Sequence, residues 1–294
     1  MRNSMNTLDF ECESKNMSES FCKVTCKKIQ TYFFYKFYKK QTHSFFMMIL
    51  CKEGGIAMAQ TFQRVEKKYL ISKETYQKFL EETKNYITLD EFGLHKICNI
   101  YFDTEQYDLI RNSIEKPVYK EKLRLRSYGT PNEEDKVYLE LKKKWKGIVY
   151  NRRISLRLKE AKDYFYRGVM PKEQGQIMKE IDYFVRFYHP EPKLYLAYDR
   201  RAYYGKEDPA LRITFDEKIR SREEHLRLEE GDYGEALLKE DMILMEVKIP
   251  GSMPIWLSQI MAGLHIYPTS FSKYGNVYKR KMTLGGNEEC SQVS

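Results

Sequence analysis

No two cysteines of this 294-residue chain stand at CxxC spacing, and no stretch is rich enough in proline or serine to read as a linker. The six cysteines are Cys12, Cys22, Cys26, Cys51, Cys98 and Cys290. They read as reduced thiols of a cytosolic protein, not as a disulfide framework or a zinc site. The longest apolar run, SFFMMILC, is too short to cross a bilayer, which takes roughly 20 apolar residues. Lysines interrupt the aromatics of TYFFYKFYKK, which excludes a signal peptide as well. No Ser-His-Asp or Cys-His arrangement is evident; His95, His189 and His265 are scattered and receive no role. There is no internal repeat.

Positive charge is abundant. The formal net charge is +9, so the partners expected are acidic: nucleic acid, an anionic membrane or a polyphosphorylated ligand. No stacking motif or helix-turn-helix accompanies that charge, and a nucleic-acid partner is not expected.

Residues 1–57 are unlike the rest, being rich in Cys, Phe, Met and Ser and showing neither helical nor strand periodicity. Glu53-Gly54-Gly55 can be encoded by a sequence resembling a bacterial ribosome-binding site, followed by a short spacer and Met58. We read Met58 as the translation start, with residues 1–57 a non-native or disordered extension. Residues 58–284 form one domain and residues 285–294 a polar tail.

Within that domain, alternating runs predict strands at 61–71, 95–103, 118–128, 136–144, 147–157, 193–205, 210–219 and 242–250. Helices are predicted at 72–86, with Ser72 as N-cap, at 158–168 and 172–188, from Met253 to Leu264, and near 271–282. TEQYDLIRNSIEKP is a short helix or loop stopped at Pro117.

The strands share a peculiarity. In EKLRLRSYG, Lys122, Arg124 and Arg126 alternate with Leu123 and Leu125. Side chains alternate faces along a strand, so three cations occupy one face. In VYLELKKK, Tyr138, Glu140 and Lys142 oppose Val137, Leu139 and Leu141. In YNRRISLRL, Asn151, Arg153, Ser155 and Arg157 oppose Ile154 and Leu156, with Arg152 spoiling the apolar face. Glu246 and Lys248 oppose Val247 and Ile249; Arg64, Glu66 and Lys68 share a side. A merely wetted face would mix signs and include Thr, Ser and Gln. If these faces converge, their repulsion amounts to several kcal/mol unless a counter-anion lies among them. An eight-stranded barrel has room for side chains or one slender ligand. Lined this way, it would hold a chain of phosphates.

RVEKKYLI, YFDT, YKEKLRLRSYG, VYLELKKK, YDRRAYYG, LRITFD, MEVKIP and FSKYGNVY, in that order between Phe62 and Met282, resemble the bacterial relatives of the polyphosphate polymerase domain of the vacuolar transporter chaperone complex, within the triphosphate tunnel metalloenzymes. The resemblance implies an α+β fold: a closed eight-stranded antiparallel β-tunnel with flanking helices. It implies an ATP-dependent polyphosphate polymerase that transfers the γ-phosphate to phosphate, pyrophosphate or a growing polyphosphate chain. By motif, Lys68, Arg124, Arg126, Lys142, Arg200, Arg212, Lys248 and Lys273 line the tunnel, and Glu246 holds Mn²⁺ or Mg²⁺, with Glu66 and Glu140 as further contacts. Arg153, taken by strand parity where Asn151 replaces a frequent Lys, and Arg111 are additional phosphate contacts. Arg64 stands where the wider superfamily has the first Glu of Glu-x-Glu-x-Lys, which argues against a plain tripolyphosphatase. Hydrolysis of a triphosphate or nucleoside triphosphate, and non-catalytic binding of polyphosphate or inositol polyphosphate, are the competing readings. The expected location is the cytoplasm, at the inner face of the membrane through a separate membrane protein. Tyr69, Tyr101 and Tyr274 read as core packing.

Overall fold

The structure, a computed structural model, describes residues 64–146, 148–172 and 175–289. The readings of residues 1–57 and of Cys290 lie outside that range. β1 (Arg64–Ser72) leads directly into α1 (Lys73–Thr83), where the Ser72 hydroxyl accepts from the Thr75 amide at 3.0 Å. That bond satisfies one of the amides left free at a helix start. β2 (Ile87–Leu89) and β3 (His95–Asp103) precede α2 (Asp108–Ile114). β4 (Tyr119–Tyr128), β5 (Lys136–Trp145) and β6 (Ile148–Arg157) form a meander, turned at its second hairpin by Lys146 at φ +47°. α3 (Leu158–Arg167) and α4 (Gln176–Tyr188) follow. β7 (Glu191–Gly205) and β8 (Arg212–Arg222) pair across a tight connection. There a Cβ on Gly205 would come within 2.6 Å of the Asp208 carbonyl oxygen, so only glycine fits. β9 (Glu235–Ala236), β10 (Met242–Pro250), α5 (Ile255–Gly263) and α6 (Lys273–Glu289) complete the chain.

All strand pairs are antiparallel, in the order β1-β10-β8-β7-β3-β4-β5-β6, with β2 added beside β7 and β9 beside β8. The eight principal strands are those expected from sequence. β2 and β9 are additions of three and two residues. The expected closure takes a different form: among the described residues no ladder joins β6 to β1. Side chains span the seam instead, with Lys142 Nζ of β5 lying 3.7 Å from Glu66 Oε2 of β1.

The apolar face of the sheet is covered by helices. Leu123, Leu125, Val137, Leu139, Leu141, Ile154 and Leu156 form one buried cluster with Ala161 of α3 and Met178, Ile181 and Phe184 of α4. Ile213, Phe215, Met245, Val247 and Ile249 form a second with Tyr76 and Phe79 of α1 and Leu257 of α5. Burying each such side chain contributes about 1.5–3 kcal/mol, which fixes the register, since a one-residue slip would turn every leucine outward. Arg152, the exception on this face, donates from Nε to Glu180 of α4 at 3.2 Å. A third cluster, containing Tyr101, Leu194, Leu196, Tyr198 and Leu244, lies on the opposite, polar face. There Ile110 of α2 and Tyr274 of α6 plug the interior.

Candidate active site

Strand register assembles the polar face. Lys68 pairs with Glu246 and Glu66 with Lys248 across β1 and β10. Lys248 pairs with Arg212, Arg200 with Asp216, Arg124 with Glu140, Lys122 with Lys142 and Glu140 with Arg153. Because alternate residues share a face, all of these side chains line the same curled surface.

The first cluster gathers around two carboxylates. Arg200 grips Asp216 with both arms of its fork, Nε to Oδ1 at 2.6 Å and Nη2 to Oδ2 at 2.7 Å. Lys273, the first residue of α6, reaches Asp216 Oδ2 at 2.5 Å and Glu246 Oε1 at 3.1 Å. Lys68 lies 3.3 Å from the same Glu246 oxygen and donates to the Phe271 carbonyl at 3.0 Å. Burial works against the Glu246 charge, yet Lys273, Lys68 and Arg200 hold its pKa well below the usual carboxylate range. Burial likewise opposes the charge of Lys273, but Asp216 and Glu246 outweigh it and raise its pKa. Three cations against two carboxylates leave a net charge of +1.

The second cluster centres on Glu140. Arg124 Nε donates to Oε2 at 2.5 Å and Arg153 Nε to Oε1 at 2.6 Å, while Arg126 Nη1 lies 3.6 Å from Oε1. Arg124 also donates to the Tyr101 hydroxyl at 3.3 Å, and Arg126 to Asn99 Oδ1 at 3.1 Å. Burial raises the Glu140 pKa, but Arg124, Arg126 and Arg153 bring it down to about 2. Three guanidiniums on one carboxylate leave +2.

Between and beyond these clusters stand lysines with little neutralisation. Lys122 is lowered to about 7, first by burial and then by Lys120, Lys68, Lys142 and Arg124. Lys122 sits on β4 and Lys68 on β1, so this repulsion crosses the interior and records how far the sheet curls. Burial lowers Lys248 to about 8, although Glu66 and Glu246 favour its charge. Lys120 and Lys144 face each other one row outward from Lys122 and Lys142.

The expected residues Lys68, Glu66, Arg124, Arg126, Glu140, Lys142, Arg200, Glu246, Lys248 and Lys273 thus share one interior. Arg153 belongs to it through Glu140, with its side chain 42% exposed. Arg212 shares the face through its pairing with Lys248 but joins neither cluster: its guanidinium lies 5.1 Å from the Tyr204 ring and 3.9 Å from Asp90. Arg111 is exposed on α2, and among the described residues no side-chain hydrogen bond or ion pair ties it to the interior. Sequence reasoning does not reach Asp216, Asn99 or Tyr198; it places Lys122 on the cationic face without a site role and reads Tyr101 as core packing. The Tyr198 ring lies under both Lys273 (4.5 Å) and Arg200 (5.1 Å). Strand parity with Arg212 would have found Asp216; parity with Arg200 would have found Tyr198.

Among the described residues no three Asp, Glu, His or Cys side chains are grouped so as to hold a metal by themselves. Glu66 and Glu246 lie on neighbouring strands and share this face, and each feels the other's charge. That donor set fits a hard cation that takes one or two carboxylates and fills its shell with water and phosphate oxygens. It does not fit an all-protein cage.

The fold and site define an antiparallel β-channel that concentrates positive charge on its inner face. The family model of the VTC domain matches residues 63–281, and the chain belongs to that family. Solved structures similar to it include a candidate adenylate cyclase from Bacillus halodurans, 17% identical, covering 71% of this chain and 95% of that one at a TM-score of 0.47. A second candidate adenylate cyclase, from Vibrio parahaemolyticus, is 14% identical, with coverages of 74% and 99% and a TM-score of 0.43. A candidate adenylyl cyclase from Hippeastrum with a dominant triphosphatase activity is 17% identical, with coverages of 72% and 93% and a TM-score of 0.44. A search of curated proteins returned no match.

Proposed function

We propose that this domain is an ATP-dependent polyphosphate polymerase. One observation carries the choice of a long substrate: the cationic wall outruns a triphosphate. From Lys120 to Arg126 the inward residues of β4 are all basic, and at about 3.4 Å per residue they cover roughly 20 Å. A triphosphate is much shorter. Membership of the VTC domain family supports the same reading.

In the transfer, a terminal oxygen of phosphate, pyrophosphate or polyphosphate attacks the γ-phosphorus of ATP. A new P–O bond forms, the bond from the γ-phosphorus to its bridging oxygen breaks, and ADP leaves with that electron pair. Such a reaction needs alignment and charge neutralisation, not a protein nucleophile. Arg124, Arg126, Arg200 and Arg212 bind non-bridging oxygens, each worth about 1.5–3 kcal/mol as a charge-assisted hydrogen bond. Lys68, Lys122, Lys142, Lys248 and Lys273 neutralise the chain as point charges. Mn²⁺ or Mg²⁺, held by Glu246 and Glu66, supplies further neutralisation when bound. Among the described residues no helix is long and apolar enough to cross a membrane; a separate membrane protein is the partner we propose for any coupling of synthesis to translocation.

The test is incubation of the purified protein with ATP and Mn²⁺, with the products resolved by size. Long-chain polyphosphate supports the proposal. Orthophosphate alone assigns a triphosphate hydrolase, and tight binding without turnover assigns a polyphosphate-binding module; either result overturns polymerase activity.

A further inference from the structure

Four interior carboxylates, Glu66, Glu140, Asp216 and Glu246, each have a lysine or arginine nitrogen within 4.0 Å, and three of them accept hydrogen bonds from those cations. Asp90 differs. Both its carboxylate oxygens are buried without a hydrogen-bond partner, and the nearest cation is Arg212, whose Nη2 lies 3.9 Å from Oδ2. The Nε of Arg212 is buried without an acceptor, and the hydroxyl of Thr214, two residues along the same face, is unpartnered too. The fold holds Asp90 there deliberately. β2 extends the sheet beside β7, and the Asp90 amide donates to the Ala202 carbonyl at 2.8 Å. Ala202 pairs with Thr214, and the next row pairs Tyr204 with Arg212. Ala202 therefore brings no bulk between Asp90 and β8.

A buried carboxylate without hydrogen bonds costs folding free energy. A neutral Asn of the same shape would fold at least as well, so the charge at this position answers to something other than stability. An Arg–carboxylate pair at hydrogen-bond distance would use up the fork. At 3.9 Å, Asp90 instead attracts the guanidinium over the Tyr204 ring without taking a hydrogen bond from its terminal nitrogens, which stay available to a ligand.

We propose that Asp90 is a positioning residue: it holds Arg212 in the orientation that receives phosphate without competing for its hydrogen bonds. The inference rests on Arg212 being a phosphate ligand, as the functional reading has it.

The experiment measures tripolyphosphate affinity and melting temperature for wild type, Asp90→Asn, Arg212→Ala and the double variant. Asp90→Asn should melt no lower than wild type and yet bind about tenfold more weakly, within the range of coupling between contacting residues. In the Arg212→Ala background it should change affinity by less than about twofold, the additivity expected once the shared partner is gone. A loss of affinity that persists without Arg212, a lowered melting temperature, or unchanged or tighter binding by Asp90→Asn would each overturn the assignment. Failure of wild type to bind tripolyphosphate would instead remove the functional reading, and this inference with it.

Discussion

Lys273 of α6 and Glu246 of β10 meet at 3.1 Å inside the channel, with Asp216 gripping the same ammonium from the other side. The helix is thereby tied to the centre of the sheet by its first residue. Glu246 neutralises Lys68, Arg200 and Lys273 in this arrangement, and under the polymerase reading it would also offer oxygens to a metal. Glu246→Gln should abolish turnover while leaving polyphosphate binding largely intact, because the cations remain. The free protein should lose about 3–5 kcal/mol, the usual consequence of removing one partner from a buried charge pair. Adding tripolyphosphate should restore more of the melting temperature to the variant than it adds to wild type. Unchanged turnover would exclude Glu246 from the site.

Lys122 and Lys248 lead to opposite pH trends for binding and for stability. Their pKa values of about 7 and about 8 lie below the ordinary lysine value of 10.5. A bound oligoanion favours the charged ammonium, so binding takes up protons. Affinity for tripolyphosphate should fall at least about tenfold from about pH 7 to about pH 9, as these lysines lose charge in the free protein. Over the same range the unfolded chain keeps lysine protons that the folded state has released, so the free protein should become more stable as pH rises. Lys122→Met should flatten both trends, and its melting temperature near pH 7 should exceed that of wild type. Titration by calorimetry in buffers of different ionisation enthalpy would count the protons; zero uptake would refute the scheme.

Tyr274 connects the plug helix to α2 through a buried acceptor. Its hydroxyl donates to Asp103 Oδ2 at 3.0 Å, and the same carboxylate receives the amides of Thr104, Leu109 and Ile110 at 2.9–3.0 Å. Tyr274→Phe removes one bond of four and should cost about 1 kcal/mol. Asp103→Ala removes all four and should cost about 3 kcal/mol or more, in the class of broken buried networks. Because Lys273 is the neighbouring residue, turnover should drop in both variants at temperatures where they remain folded. Urea unfolding monitored by circular dichroism checks the order of the two.

The strands and their facing were readable because each needs only local alternation. Leu123 and Leu125 go under α3 and α4, so Lys122, Arg124 and Arg126 must face the interior, and any reader of EKLRLRSYG can infer it. β2 and β9 were not readable, since three and two residues carry no period and exist only by pairing with β7 and β8. Asp216 and Asp90 were missed for a related reason. Parity gives the face of a residue, but which carboxylate meets which cation depends on curl and stagger between distant strands. The tunnel-like sheet is the one the pattern specifies; how its edges meet is not legible, because a β6–β1 ladder requires a strand geometry that no local sequence states. Arg111 was assigned by motif proximity, without a facing rule, and it lies exposed.

Under the polymerase reading, Lys120 and Lys144 would set how long a phosphate chain the wall holds. They pair directly across β4 and β5, beyond the Lys122–Lys142 row, and neither has a carboxylate within ion-pair distance among the described residues. Like charges directly opposed destabilise a sheet unless an anion lies over them. Tripolyphosphate centred on Arg124 and Arg126 does not extend that far, whereas a long chain does. The double variant Lys120→Ala, Lys144→Ala should therefore bind tripolyphosphate within about threefold of wild type, as expected of substitutions away from the occupied contacts. It should bind long-chain polyphosphate at least about tenfold more weakly, and that binding should fall less steeply with salt because fewer cations take part. Its product should also be shorter, since a chain that loses its hold on the outer rows dissociates before the next transfer. Equal losses for short and long ligands would mean that the two lysines act on the sheet and not on the chain, and the channel would then hold no more than a triphosphate.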